Sequence, residues 1–226
     1  MTITMPLMDD YFQVQLPKSL KLNREIQLRQ GLTKEKEFDL QDSAKGSEIV
    51  MAKGMGKTSY RNAQEWLLYV LDFEHYKTQL NNSAILKGEG LTRMCDYFII
   101  DTEVEICILN EISSAISEEN LDKPTENFRG GKSEKAQKQL LDSLKTIKKC
   151  SPLWQMLSNA KDRICLFSYK IAQDKNSLIN KIRTPFNRPL QVETSLSKER
   201  GVEYHNEDIE QLGFQYRRTK ETFRIS

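Results

Sequence analysis

The sequence predicts one α/β domain, on three observations: an apolar stripe at helical spacing from Ser59, two strand-like runs only three residues apart, and a second amphipathic stretch leading to a two-faced apolar run. A length of 226 residues suits a single core with elaborations. The chain divides into a loosely structured, irregular N-terminal arm (1–57), an α/β core (58–175) and a C-terminal extension packed on the core (176–226).

The arm lacks sustained periodicity and has strand character only near Phe12 to Leu16. From Ser59 onward, Ala63, Trp66, Leu67, Val70 and Leu71 recur at helical spacing, which predicts an amphipathic helix to about Gln79, capped by Thr58 or Ser59. Asn81 to Gly90 carries loop signals. CDYFII (Cys95 to Ile100) and VEICILN (Val104 to Asn110) are rich in aromatic and β-branched residues and predict a β-hairpin. Ser114 to Gly131 reads as a long acidic excursion. Ser133 then caps a helix whose stripe is Ala136, Leu140, Leu141, Leu144 and Ile147, and Arg163 to Ile171 predicts a central strand covered on both faces. Beyond Pro185 and Pro189 the chain ends in LGFQYRRTKETFRIS, a last hairpin or a basic tail. Phe214, Tyr216 and Phe223 there either stack on bases or mark a half-buried strand.

An apolar fraction of 38% with 29% charged residues excludes a fully disordered chain. The longest apolar run falls far short of the roughly 20 residues that cross a bilayer, and the N-terminus lacks a secretory pattern. The expectation is a cytoplasmic chain with no membrane partner. Cys95, Cys107, Cys150 and Cys165 are widely spaced without a Cys-x-x-Cys pair, which predicts buried free thiols. His75 and His205 are the only histidines, so a histidine-rich metal centre is excluded, and the His205 and Asp208 couple reads first as an exposed turn. Net charge is only +2, yet an acidic stretch from Asp101 to Glu126 abuts a basic one from Arg129 to Lys149. That contrast suits either a metal site beside a phosphate-binding surface or two solvated faces.

Two acids bracket the hairpin. If it turns symmetrically about Thr102 and Glu103, Asp96 lies opposite Leu109 and Glu111 is its diagonal neighbour on the same face, roughly 7 Å away. Such a pair either shares one divalent ion or simply ends two strands in water. A rival motif is Gly56-Lys57-Thr58, the end of a phosphate-binding loop, whose first glycine is replaced by Met51.

The segment CDYFIIDTEVEICILNEIS, followed after an insertion by EKAQKQLLDSL, resembles the PD-(D/E)XK nuclease superfamily. That family's restriction-endonuclease-like core is a helix, a β-hairpin carrying Asp and Glu-x-Lys, a helix and a strand, the order expected between Ser59 and Ile171. The resemblance implies a nuclease that hydrolyses DNA, or RNA, with Mg2+ or Mn2+, in a setting such as restriction or phage defence. Asp96 and Glu111 match its metal-binding acids, Ile112 would offer its carbonyl, and Glu74 would add a first-helix acid. Ser113 stands where the family has its lysine, so Lys132 or Lys135, with Gln137 nearby, would have to supply that function from the next helix. Lys138, Lys145, Lys148, Arg217 and Arg218 are candidates for phosphate contacts. The alternative is an inert nuclease-fold subunit that binds nucleic acid or assembles with a protein partner or a second copy.

Overall fold

The computed structural model describes residues 4–41, 49–115, 120–171 and 199–225. Pro185 and Pro189, and part of the acidic excursion, lie outside them. The chain is mixed α/β, with a seven-stranded sheet covered by helices on one face and by a four-stranded sheet on the other. Among the described residues no helix is long and apolar enough to cross a membrane.

The large sheet has the order β1 (Gln30–Thr33), β5 (Leu68–Asp72), β6 (Tyr97–Asp101), β7 (Ile106–Ala115), β8 (Asp162–Ile171), β10 (Gln215–Thr219), β9 (Val202–Tyr204). The successive pairs β1–β5, β5–β6 and β6–β7 are antiparallel, β7, β8 and β10 run parallel, and β9 pairs antiparallel with β10. The small sheet has the order β11 (Phe223–Ile225), β4 (Thr58–Asn62), β2 (Glu37–Leu40), β3 (Val50–Ala52). Side chains alternate along β7: Cys107 and Leu109 pack under the helices, while Ile106, Ile108 and Ile112 pack against the small sheet. Every residue of β5 and β6 is buried, as a strand covered on both sides requires.

That double burial explains one correction. Residues 59–79 form no single helix. They make β4, a turn, β5 and then α3 (Phe73–Leu80), which is capped by Asp72 rather than by Thr58 or Ser59. The run LLYVL is apolar on both faces, so its spacing matches a helix by coincidence. The turn is closed by Asn62, whose side-chain amide donates to the Trp66 carbonyl at 2.8 Å while its oxygen accepts from the Trp66 N–H at 3.1 Å.

Residues near Phe12 are helical, not extended: α1 (Met5–Asp10) passes through a π-helical stretch (Tyr11–Gln15) into α2 (Leu16–Ser19). Met8, Phe12, Leu16 and Leu20 recur every four residues, and the wide π turn helps keep a four-residue spacing facing the core, where all four are buried. Asp9 ties the segment to the sheet by accepting from Gln30 at 2.8 Å and Tyr69 at 3.2 Å.

Asn81–Gly90, expected as a loop, holds a short helix, α4 (Ala84–Gly88), capped by Ser83. Beyond the hairpin, α5 (Gly131–Ile147) begins not behind Ser133, which lies inside it, but at a glycine with φ of 65°, where a Cβ would stand 2.6 Å from the Leu121 carbonyl oxygen. It lies over β7 and β8, and α6 (Ser151–Ser158) follows it. All four cysteines are buried free thiols. The C-terminal LGFQYRRTKETFRIS is neither a hairpin nor a tail: β10 joins the large sheet beside β8, and β11 joins the small sheet beside β4.

Candidate functional site

The hairpin register brings two carboxylates together. Phe98 pairs with Leu109 and Tyr97 with Asn110, so the next step sets Asp96 directly across from Glu111. The expected register is off by two residues because the loop is longer than a symmetric turn. Asp101 accepts from the Glu103 N–H at 2.9 Å and the Ile106 N–H at 2.7 Å, and Val104 takes a positive φ. A shift of two preserves the face of every side chain, so both acids still point toward the helices, each only 6% exposed.

Asp96 is fixed from three sides. Its N–H donates to the Asn110 carbonyl at 3.0 Å, and its carbonyl accepts the first two amides of α3, Phe73 at 2.8 Å and Glu74 at 3.2 Å. Its carboxylate accepts from the Ile112 N–H at 2.6 Å. Ile112 thus meets the pair through its amide, while its side chain packs in the other layer.

Glu111 is held from α5. Gln139 donates through Nε2 to Glu111 Oε2 at 2.9 Å and to the Met94 carbonyl at 3.1 Å. Because the Met94 oxygen can only accept, the sense of the amide is set, and Gln139 Oε1 is left buried with no partner among the described residues. One turn further on, Ser143 accepts from the Cys95 N–H at 2.8 Å and donates to the Gln139 carbonyl at 2.7 Å, clamping α5 to the entry of β6.

Burial pushes the Glu111 carboxyl well above its ordinary range, and the facing Asp96 and nearby Glu74 push the same way, against Lys135 and the Gln139 hydrogen bond. Glu111 is therefore a group whose folded state holds its proton more tightly than the unfolded chain does. Its ionisation costs stability, and that cost grows as pH rises from the usual carboxylate range through the raised value. Glu111→Gln is expected to raise the thermal midpoint in chelator at pH 8 by about 2–4 °C for each kcal/mol recovered, and by less near pH 4. A variant less stable than wild type at pH 8 would contradict this.

The expected helpers separate along α5. Lys132, Lys135 and Gln139 lie at positions i, i+3 and i+7 and share one face, with Lys135 the cation that most favours ionised Glu111. Gln137 points elsewhere and accepts from Asn206 at 2.9 Å. Lys77, one turn after Glu74 on α3, also reaches this neighbourhood, and partial burial lowers its pKa against the opposing pull of Glu74. Gln139 and Lys77 are the members that the sequence reading missed. Their signals are i+4 from Lys135 and i+3 from Glu74.

The basic residues do not form one patch. Lys138 stands 3.9 Å from Asp142, Lys145 is exposed, and Lys148 lies over Trp154 at 5.7 Å. Arg217 is bound to Glu203 at 3.0 Å, and Arg218 stacks on Tyr204 at 4.2 Å while pairing with Asp122 at 3.4 Å. His205 sits exposed beside Glu210 at 3.0 Å. The triplet Gly56-Lys57-Thr58 makes no phosphate-binding loop. The Gly54 and Gly56 amides both donate to Asp39, and a strand follows instead of a helix.

No family model matches this chain, and neither curated proteins nor solved structures give a significant match. Among the described residues no three His, Cys, Asp or Glu side chains group closely enough to hold a metal ion. The donors at hand are two facing carboxylates and one buried, unpartnered amide oxygen. That set fits magnesium, which typically takes one or two carboxylates and keeps water or substrate phosphate on its other positions.

Proposed function

We propose that the chain is a metal-dependent nuclease with a restriction-endonuclease-like core, its site built on Asp96 and Glu111. The observation that carries the reading is the placement of two buried carboxylates face to face across the hairpin, beneath an unpartnered amide oxygen and a lysine. Like charges in a buried site are costly unless a cation joins them. The order α3, hairpin, α5, β8 supports the same reading.

Asp96, Glu111 and Gln139 Oε1 would hold Mg2+ or Mn2+, which supplies charge neutralisation at a phosphate and a lowered pKa for bound water. Lys135 places an ammonium where negative charge grows on the phosphoryl oxygens as water attacks phosphorus and the bridging P–O bond breaks. Gln139 orients Glu111. Lys77, Arg93, Lys138 and Lys145 supply positive charge for neighbouring phosphates without reading bases.

The test is incubation of the purified protein with single- and double-stranded DNA and RNA in Mg2+, in Mn2+ and in chelator. Cleavage of DNA that needs the metal is the expected result. Ser113, on the same face of β7 as Glu111, favours a second reading, because its side chain brings no charge to the lysine position. Binding of nucleic acid without cleavage under either ion would select that second reading, an inert nuclease-fold subunit.

A further inference from the structure

Lys57 and Thr58, left without a phosphate loop to serve, come to another use. Where β4 begins and β8 and β10 end, a cleft of about 180 Å³ is lined by Lys57, Thr58, Ser59, Ser168, Lys220 and Glu221. Its floor is built rather than incidental: Thr58 is 4% exposed and Ser168 2%. Thr58 Oγ1 is buried with no hydrogen-bond partner among the described residues, and so is Asn110 Oδ1, while the Tyr60 hydroxyl lies beside Ser168. The Asn110 amide donates to Ser168 Oγ at 2.9 Å, which turns the Ser168 proton toward another acceptor. The Glu221 N–H donates to the Thr219 hydroxyl at 3.2 Å, which fixes the turn that carries Lys220.

Hydroxyl donors beneath two lysines, with Glu221 as the one carboxylate among them, make a small open cleft that is rich in donors and net positive. We propose that this cleft binds a phosphate group, held by the Thr58 and Ser168 hydroxyls and by Lys57 and Lys220. The group belongs either to free phosphate or to the end of a nucleic-acid strand. The site is separate from the acid pair: Ser168 aligns with Ile112 on the small-sheet side of β7 and β8, and Asp96 and Glu111 face the helices.

The test is calorimetric titration with inorganic phosphate, and with a short oligonucleotide carrying or lacking a 5′-phosphate, all in chelator. Wild type and the double variant Asp96→Asn, Glu111→Gln are expected to bind phosphate alike. Thr58→Val, which keeps the shape and removes the unpartnered hydroxyl, is expected to bind at least tenfold more weakly without a lower thermal midpoint in phosphate-free buffer. Lys220→Gln is expected to weaken binding as well. A Thr58-dependent preference for the phosphorylated oligonucleotide identifies a strand end, and equal affinity for both oligonucleotides identifies free phosphate. Phosphate binding unchanged in Thr58→Val, or no saturable binding to wild type, overturns the proposal.

Discussion

Phe12→Ala is expected to cost about 3–5 kcal/mol of stability, the range for emptying a buried aromatic site. In a chain of this size that lowers the thermal midpoint by roughly 6–20 °C. Phe12 is fully buried, and its ring meets Phe98 at 5.2 Å, Tyr76 at 5.4 Å and Phe73 at 6.1 Å, all edge-on. The Tyr76 hydroxyl adds a hydrogen bond to the Phe12 carbonyl at 2.7 Å. These partners sit on α3 and β6, the two elements that meet at Asp96, so the N-terminal helix braces the site from behind. A loss below about 1 kcal/mol, as expected of surface substitutions, would mean that the segment is a peripheral arm after all.

Asp96→Asn is expected to lower metal-dependent cleavage by at least about a hundredfold, the scale of removing a group that stabilises developing charge. Asparagine keeps an oxygen for the Ile112 amide, so circular dichroism and the thermal midpoint are expected to stay close to wild type. Lys135→Ala should reduce the cleavage rate by a similar factor, whereas Gln137→Ala, which loses contacts to Asn206 and Tyr216, should leave the rate within about twofold. Equal losses at Lys135 and Gln137 would place the helix contribution in structure rather than in the reaction.

The hairpin, α5 and β8 were legible because each had one strong local pattern: β-branched and aromatic runs, a stripe from Ala136 to Ile147, and a strand apolar on both faces. The acid pair was legible for a subtler reason. Parity along a strand fixes the face a side chain occupies, so a register wrong by two residues still put Asp96 and Glu111 on one side. The turn that set the true register depends on the Asp101 side chain bonding two amides, which spacing does not reveal.

The misreadings have equally physical causes. LLYVL is apolar on both faces because two layers cover it, and a short run of that kind carries no period of its own. In the N-terminal segment, Pro6 stands in a first turn, where a missing N–H costs little, whereas Pro17 lies inside the continuous helical run, where the Phe12 carbonyl is taken by the Tyr76 hydroxyl. The segment's four-residue apolar spacing was present to be read. Gln139 was hidden differently: a neutral side chain gains importance only when folding sets it between the Met94 carbonyl and Glu111.

If Asp96 and Glu111 together hold a divalent cation, calorimetric titration of Mn2+ into metal-free protein detects it most directly. The expected result is one saturable site per chain in the wild type, weakened at least roughly tenfold to a hundredfold in Asp96→Asn and in Glu111→Gln. Indistinguishable Mn2+ binding by the wild type and both variants would contradict that shared site.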